Sequence, residues 1–394
     1  MPDKRQILTG LDIFREGAWK KLKGYRLGLL ANQASVDSDL NPAREVIESL
    51  LPGRLKALFG PQHGYGGEDQ DNMIETEHAT DPAFGIPVYS LYSDTREPLP
   101  HMLDEIDILI IDLQDIGTRV YTFASTMLNC LKAAAGDRKK VFVLDRPNPI
   151  GGDIVEGDLL RRDHYSFVGP FRFPMRHGLT IGEMAGIFNH VFELDADLTI
   201  IPMKGWQRNM LWDDTGLTWI MPSPNMPLPD TALVYPGQVM WEGTNVSEGR
   251  GTCRPFEIFG APYMKTEAVK SGLAPVALKG CRLQEFSFRP TFNKWKGKHC
   301  RGFLIHVLSP QAFRPYTTSI CLLKSVMRRH PKSFRWKAPP YEYEYHKQPI
   351  DLIVGDPALR GHLESDEDLS WFQEKWEADR TSFMKWRAPY LIYS

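Results

Sequence analysis

Six short apolar segments, rich in branched residues, recur in the first half of this chain and constrain its fold more than any other feature. They occupy residues 26–31, 54–59, 87–91, 107–113, 140–144 and 198–203. Segments of this length that are apolar throughout are typical of strands buried on both faces of a sheet. Helical patterns lie between several of them, so the sequence predicts an α/β fold in which helices cover both faces of a mostly parallel sheet.

Local patterns also predict where the covering helices begin. Asn41 followed by Pro42 indicates a helix start, because Asn can cap free amides and Pro has no amide to satisfy. Thr180 and Glu183 have the spacing of a capping box ahead of an apolar stripe. Apolar residues at helical spacing over 120–134 predict another helix.

The second half of the chain has a different character. From about Tyr235 the alternation gives way to aromatic, basic and proline-rich stretches such as residues 337–343. This change predicts two domains, an α/β domain at 1–235 and a smaller α+β domain at 236–394.

Composition narrows the class of ligand and the compartment. The 47 basic and 49 acidic residues leave a formal charge of -2, which favours neither nucleic acid nor an anionic membrane as partner. We find no apolar run long enough to span a bilayer, and the first apolar residues are too few for a signal peptide. The five cysteines are odd in number and widely spaced, which is typical of reduced thiols, so we expect a cytoplasmic protein.

Four of the predicted strands are followed by polar, glycine-rich or proline-rich loops, at residues 32–35, 60–72, 112–119 and 145–152. Ligands of open parallel sheets bind beyond the carboxyl ends of the strands, so these loops predict a concave polar site. Turn formation explains the Gly, Pro and Asn residues in them, but a turn needs neither imidazole nor guanidinium. The candidates for function are therefore His63, Asp115, Asp145 and Arg146, although Asp145 and Arg146 could instead pair structurally.

Three later segments add candidates. Arg176 and His177 precede the capped helix, where they could hold a carboxylate or hydroxyl, or His177 could be satisfied locally. Ser223 and Asn225 lie in a rigid proline-rich loop, which is either a ligand contact or an interdomain connector. Residues 241–252 combine carboxylates, an amide, hydroxyls and an arginine, as a sugar-binding loop or a salt-bridged surface hairpin would.

Several common chemistries lack their sequence motifs. There is no phosphate-binding loop, no Gly-x-Gly-x-x-Gly after a strand, no Gly-x-Ser-x-Gly elbow and no His-Glu-x-x-His helix. Nucleotide binding, serine hydrolysis and zinc proteolysis are accordingly disfavoured. The sequence predicts no cofactor, and the spacing of His63 and Asp115 does not demand a metal.

Taken together, the loops resemble the exo-β-N-acetylmuramidases of the NamZ type. Six ordered motifs carry the resemblance: Phe-Gly-Pro-Gln-His-Gly at 59–64, Asp-Leu-Gln-Asp-Ile-Gly at 112–117, Leu-Asp-Arg-Pro-Asn-Pro at 144–149, Arg-His-Gly-Leu-Thr at 176–180, Pro-Ser-Pro-Asn-Met-Pro at 222–227, and Glu-Gly-Thr-Asn through Gly-Arg-Gly-Thr at 242–252. The resemblance implies a Rossmann-like catalytic domain, a smaller auxiliary domain and an active site in the cleft between them. It also implies release of N-acetylmuramic acid from the non-reducing ends of peptidoglycan fragments, most simply during recycling of the cell wall.

One motif departs from the family. Members commonly have Pro-Glu-His-Gly where this chain has Gln62, and that glutamate is the family's leading candidate for the acid-base residue. An amide cannot exchange a proton, so Gln62 cannot take this role. Either a nearby carboxylate such as Glu68 or Glu75 replaces it, or the chemistry has shifted.

Glycoside hydrolysis usually needs one protonated carboxylic acid and one ionised carboxylate. We expect Glu68 to be the replacement acid, Glu242 or Asp115 the second carboxylate, and His63 a positioning or proton-relay group. The expected substrate is a muropeptide or muramyl disaccharide, and the predicted binding residues are Gln62, Asp145, Arg146, Asn148, Arg176, His177, Ser223, Asn225, Asn245 and Arg250. The three arginines are candidates for the lactyl carboxylate of muramic acid, which a guanidinium can bind through two parallel hydrogen bonds.

Two other functions remain open from sequence. Gln62 is compatible with a non-catalytic sugar-binding or regulatory protein. A metal held by His63, Asp115 and His177 would instead suit an amidase or esterase. The sequence gives no prediction of oligomeric state.

Overall fold

The first half of the chain forms one twisted seven-stranded sheet. In this computed structural model, which describes residues 7–71, 73–365 and 370–394, its strands are β1 (Leu27–Ala31), β2 (Leu55–Gly60), β3 (Ala79–Thr80), β4 (Pro87–Ser90), β5 (Ile108–Asp112), β6 (Lys140–Leu144) and β7 (Leu198–Ile201). The order is β3-β4-β2-β1-β5-β6-β7, and every pairing is parallel except β3 with β4. All six predicted strands are confirmed. The two-residue edge strand β3 was not predicted, because it is too short to show a pattern.

Helices cover both faces of this sheet, as expected. They are α1 (Gly10–Glu16), α2 (Ala43–Leu50), α3 (Pro100–Leu103), α4 (Phe123–Gly136) and α5 (Ile181–Val191). Successive side chains of a strand point to opposite faces. Leu29 of β1 therefore packs with α1 and α2, whereas Leu30 packs in the cluster that contains α4 and α5.

Both predicted helix starts are confirmed, since α2 begins directly after Pro42 and α5 directly after Thr180, but only one of the two expected caps is present. The Thr180–Glu183 capping box at α5 is present in both directions. Asn41 does not cap α2, because its amide nitrogen donates to the Asp37 carboxylate and Pro42 occupies the cap position. The N-terminus of a helix offers free N–H donors, so a side chain caps it with an oxygen, whereas this contact uses the Asn41 nitrogen as a donor.

The second half is a smaller α+β unit. Its antiparallel sheet has the order β8-β10-β9 and consists of β8 (Ile258–Ala261), β9 (Cys281–Phe288) and β10 (Cys300–Val307). Its helices are α6 (Pro229–Gln238), α7 (Thr266–Ser271), α8 (Pro315–Arg329), α9 (Pro349–Val354), α10 (Pro357–Glu364) and α11 (Ser370–Arg387). A division after residue 235 would cut α6, which packs against α8 and β10; a division before Pro229 keeps this helix whole.

The strand order determines where a ligand site is expected. The chain winds from β1 outward through β2 to β4 on one side, and from β5 through β6 to β7 on the other. The carboxyl ends of β1 and β5 therefore flank a topological switch point, where open α/β sheets bind ligands. Among the described residues, no helix combines the length and hydropathy needed to cross a membrane. Residues 1–6 and Asn72, which entered the sequence interpretation, lie outside the described residues.

Candidate active site

A cavity of about 460 Å³, its mouth included, lies where the loops of the large sheet meet the second unit. The first unit contributes the polar side chains Gln62, His63, Thr122, Ser223 and Asn225. The second unit contributes Glu242, Arg250, Tyr341 and Glu342. Two carboxyl groups, one on each of two neighbouring segments of the second unit, therefore share one cavity.

Glu242 is a buried carboxylate held by a cation. It follows α6 in the 3₁₀ turn Val239–Gly243, and its Oε1 lies 2.7 Å from Nη2 of Arg250. The Tyr341 hydroxyl donates to its Oε2 at 2.6 Å. Burial alone raises the pKa of Glu242, but the charge of Arg250 and these hydrogen bonds outweigh burial and lower the pKa. Glu242 is therefore ionised at neutral pH.

Glu342 is a buried carboxyl group whose hydrogen-bond partners are neutral. The Tyr92 hydroxyl donates to Oε2 at 2.6 Å, and the Gln62 amide nitrogen lies 3.3 Å from Oε1. Burial raises the pKa of Glu342, and the negative charge of Glu242 adds to the rise. One cavity thus holds two carboxyl groups whose pKa values are shifted in opposite directions.

Gln62 connects the two units at this cavity. Besides its contact with Glu342, its amide nitrogen donates to the Tyr92 hydroxyl at 3.1 Å, and its carbonyl oxygen accepts from Thr122 at 2.7 Å. Both ends of the amide are therefore engaged, which fixes the side chain beside the Glu342 carboxyl group.

His63 lines the cavity as a neutral imidazole. Its Nδ1 lies 2.6 Å from the Asp69 carbonyl oxygen, which can only accept, so Nδ1 carries the proton. Burial lowers the pKa of His63 to about 4. The Nε2 atom is then an unprotonated acceptor, suited to orienting a substrate hydroxyl or water.

Backbone strain is concentrated around the same cavity. Three non-glycine residues that line it have positive φ: His63 at 77°, Phe256 at 63° and Glu342 at 45°. Such conformations are costly for L-residues and persist where the surrounding structure enforces them, often at functional sites.

Six of the residues predicted from sequence meet in this cavity: Gln62, His63, Ser223, Asn225, Glu242 and Arg250. Asn225 also joins two loops, since its amide donates to the Gln70 carbonyl oxygen at 2.6 Å. The Pro-rich loop 222–227 is therefore a wall of the cavity as well as a connection between the units.

The other predicted residues lie elsewhere. Arg146 forms a buried two-point ion pair with Asp112, at 2.5 and 2.7 Å, and does not face the cavity. Asp145 is fully buried and accepts hydrogen bonds from Thr180 and Tyr393. Both side chains are engaged by buried partners inside the fold, which indicates structural roles.

Asn148 and Arg176 also serve the fold. The Asn148 amide donates to the Leu179 carbonyl oxygen at 3.0 Å. The Arg176 guanidinium is buried and donates to the Ile150 carbonyl oxygen, and burial lowers its pKa to about 10. Neither side chain reaches the cavity, so neither is placed to bind the lactyl group.

Asp115 and His177 form a buried pair outside the cavity lining. His177 Nε2 lies 3.5 Å from Asp115 Oδ2, which also accepts from the Gly117 amide at 2.6 Å. His63 is not part of this pair, and among the described residues no three His, Cys, Asp or Glu side chains are grouped to hold a metal ion. The three-ligand site of the amidase hypothesis is therefore not assembled.

The last two candidates, Glu68 and Asn245, do not line the cavity either. Glu68 is exposed in the loop after β2 and does not line the cavity. Asn245 accepts from Tyr263 at 2.8 Å and donates to the Ser333 carbonyl oxygen. Proximity in sequence to His63 suggested Glu68, but the loop turns its carboxylate outward toward Gly64 and Gly66.

Sequence reasoning missed Glu342, Tyr92 and Tyr341. Glu342 lies more than 270 positions from Gln62, and nothing in the local pattern at 337–343 links them. The available signal was a glutamate between two tyrosines immediately after two prolines.

Comparisons with known proteins agree with this architecture. The family models described as "Exo-beta-N-acetylmuramidase NamZ, N-terminal" and "C-terminal" match residues 27–230 and 233–393. The "Peptidoglycan beta-N-acetylmuramidase NamZ" of Bacillus subtilis (strain 168) is 39% identical over 390 residues, covering 99% of this chain and 92% of the relative.

Two solved structures share the fold of this chain over its whole length. A DUF1343 family protein of Bacteroides fragilis NCTC 9343 superimposes with a TM-score of 0.89 at 32% identity, covering 100% of both chains. A second protein of that family and organism gives 0.76 at 26% identity, covering 99% of both chains. The chain accordingly belongs to the NamZ exo-β-N-acetylmuramidase family.

Proposed function

We propose that this protein is an exo-acting glycoside hydrolase that releases N-acetylmuramic acid, or a related amino sugar, from the non-reducing end of peptidoglycan fragments. The observation that carries this proposal is the pair of carboxyl groups in one cavity, with the pKa of Glu242 lowered and that of Glu342 raised. Hydrolysis of a glycosidic bond needs one carboxyl group in each protonation state. The name of the Bacillus subtilis relative supports the sugar class.

The ionised Glu242 acts on the anomeric carbon in this proposal, as nucleophile or as base for water. Arg250 maintains its charge and is the one of the three predicted arginines that lines the cavity. The description of the matching family models as exo-beta-N-acetylmuramidase supports an exo-acting enzyme on a muropeptide or muramyl disaccharide. The five cysteines all lie in the described residues and are unpaired, which fits a reducing cytoplasm and a role in cell-wall recycling.

Turnover of a muramyl disaccharide and of an aryl N-acetylmuraminide tests this function. We expect both substrates to be cleaved, and the matching N-acetylglucosaminides to be cleaved more slowly. Glu242→Gln should lower kcat on both muramyl substrates by at least 100-fold, because the ionised carboxylate is lost. Binding of the sugar by the wild-type protein with no turnover from pH 4 to 9 would instead favour a sugar-binding protein.

A further inference from the structure

The two carboxyl groups of the cavity are not equivalent in their contacts. Glu242 is paired with a guanidinium, whereas the carboxyl oxygens of Glu342 contact the Tyr92 hydroxyl and the Gln62 amide nitrogen. Both of these neutral groups donate to Glu342. A proton on Glu342 is therefore not used in these bonds and can be directed at a bound ligand.

We propose that Glu342 donates the proton to the glycosidic oxygen and that Gln62 is the residue that positions it. This inference rests on the proposed hydrolase function. The proton passes from the Glu342 carboxyl group to the glycosidic oxygen while the bond from that oxygen to the anomeric carbon breaks, and the bonding electron pair stays on the oxygen. Water then supplies a hydroxyl group to the anomeric carbon, and its remaining proton restores the Glu342 carboxylic acid directly or through solvent.

The backbone at Glu342 supports a functional role. Tyr341 and Glu344 exchange two backbone hydrogen bonds of 3.0 Å, and the residues between them, Glu342 and Tyr343, have φ of 45° and 66°. Two central residues with positive φ are the pattern of a type I′ turn, which favours Asn and Gly at these positions. A glutamate and a tyrosine in this turn are unfavourable locally, and the turn directs the Glu342 side chain into the cavity.

The amide at position 62 also has a positive role. A glutamate there would place a second ionisable carboxyl group against Glu342, and the two would share protons as a coupled pair. Gln62 keeps the hydrogen bond to Oε1 and removes the competing acid. The departure from the family's Pro-Glu-His-Gly pattern is thus consistent with an acid supplied by Glu342, the hydrogen-bond partner of Gln62.

Two substrates with different leaving groups test the assignment. A sugar leaving group needs protonation, whereas a dinitrophenolate leaves without it, so loss of the acid affects the two unequally. For Glu342→Gln we expect kcat/KM on a muramyl disaccharide to fall by about 100-fold to 10,000-fold. The rate of the bond-breaking step on 2,4-dinitrophenyl N-acetylmuraminide should fall far less.

The matched control is Glu344→Gln, the same change two residues along the turn. The Glu344 carboxylate accepts from the backbone amides of His346 and Lys347 and does not line the cavity, so both rates should stay at the wild-type value. Glu342→Gln with wild-type activity on the disaccharide would overturn the acid assignment and leave the hydrolase function standing. A wild-type protein that cleaves neither substrate would overturn both.

The pH profile provides a second readout. Activity on the disaccharide should be lost as pH rises through the pKa of Glu342, and Glu342→Gln should lack this basic limb. The titratable and charged groups that face Glu342 or line the same cavity are Tyr92, Tyr121, Tyr235, Tyr341, His63, Glu242 and Arg250. The tyrosines and Arg250 keep one charge state between pH 4 and 8, whereas Glu242 titrates on the acidic limb, as does His63, whose pKa is lowered to about 4.

Moving the carboxyl group across the contact tests the role of Gln62. In the double variant Gln62→Glu/Glu342→Gln, residue 62 carries the carboxyl group and residue 342 carries the amide, so the two groups exchange places across their hydrogen bond. We expect at least a tenfold recovery in disaccharide cleavage over Glu342→Gln. A double variant no faster than Glu342→Gln, although folded, would overturn the positioning role.

Discussion

Arg146 and Asp112 show how a charged residue at the end of a sheet strand can serve the fold rather than the ligand. Asp112 ends β5, and both of its carboxylate oxygens contact the Arg146 guanidinium. The same guanidinium donates to the Val36 carbonyl oxygen at 2.8 Å. Arg146 therefore joins the loops after β1, β5 and β6 at the switch point of the sheet.

Replacing Arg146 should impair stability and leave catalysis largely intact. We expect Arg146→Met to lower the free energy of unfolding by roughly 3–5 kcal/mol, because the Asp112 carboxylate is left buried without its partner. Urea unfolding measures the loss, and kcat/KM per folded molecule measures catalysis. Arg26→Met is the matched control, since Arg26 pairs with Asp107 at a partly exposed site and should lose much less stability. A selective rise in KM with unchanged stability would show that Arg146 binds substrate.

At the scale of the elements, α6 links the two units and depends on a close contact with α8. A Cβ atom on Gly237 of α6 would lie 2.0 Å from the Pro315 carbonyl oxygen and 2.4 Å from the Ser319 hydroxyl. The two helices can approach this closely only because residue 237 has no side chain. Glu242 lies in the 3₁₀ turn Val239–Gly243 that directly follows α6, so this packing also affects the cavity.

Gly237→Ala should therefore separate α6 from α8. We expect a loss of roughly 1–3 kcal/mol or more in the free energy of unfolding, because backbone atoms must move. Gly136→Ala in α4 is the control: it has no neighbour within 4 Å of the added Cβ and should gain up to about 1 kcal/mol from helix propensity. Thermal and urea unfolding of the two variants give the comparison, and equal stabilities would contradict the role of the helix contact.

The elements also explain what the sequence could predict. Strands such as β5 are apolar on both faces, so burial alone specifies them, and the Thr180–Glu183 box is a local interaction that the sequence contains in full. Glu342 could not be predicted in this way. Its side chain is held by Tyr92 and Gln62, residues that only the tertiary fold brings to it.

For the whole molecule, the C-terminal segment returns to the first unit and covers part of its loop edge. The buried Arg387 guanidinium donates to the carbonyl oxygens of His177, Gly178 and Gly152 at 2.7–3.0 Å. Tyr393 donates to Asp145 at 2.6 Å and accepts from the Met203 amide at 2.9 Å. These contacts close loops that the sequence analysis expected at an open site. The closure could not be predicted, because the covering residues lie some 200 positions from those loops in the sequence.

Tyr393→Phe should weaken this closure in a pH-dependent way. Burial raises the pKa of Asp145 to about 6, and the Tyr393 hydroxyl is among the donors that limit the rise. Removing the hydroxyl raises the Asp145 pKa further, so above pH 6 the variant continues to lose stability where the wild type does not. We expect a loss of roughly 1–3 kcal/mol at pH 8 and a smaller loss at pH 5. Urea unfolding at both pH values measures this difference, and a loss that is independent of pH would mean that the hydroxyl does not stabilise the Asp145 carboxylate.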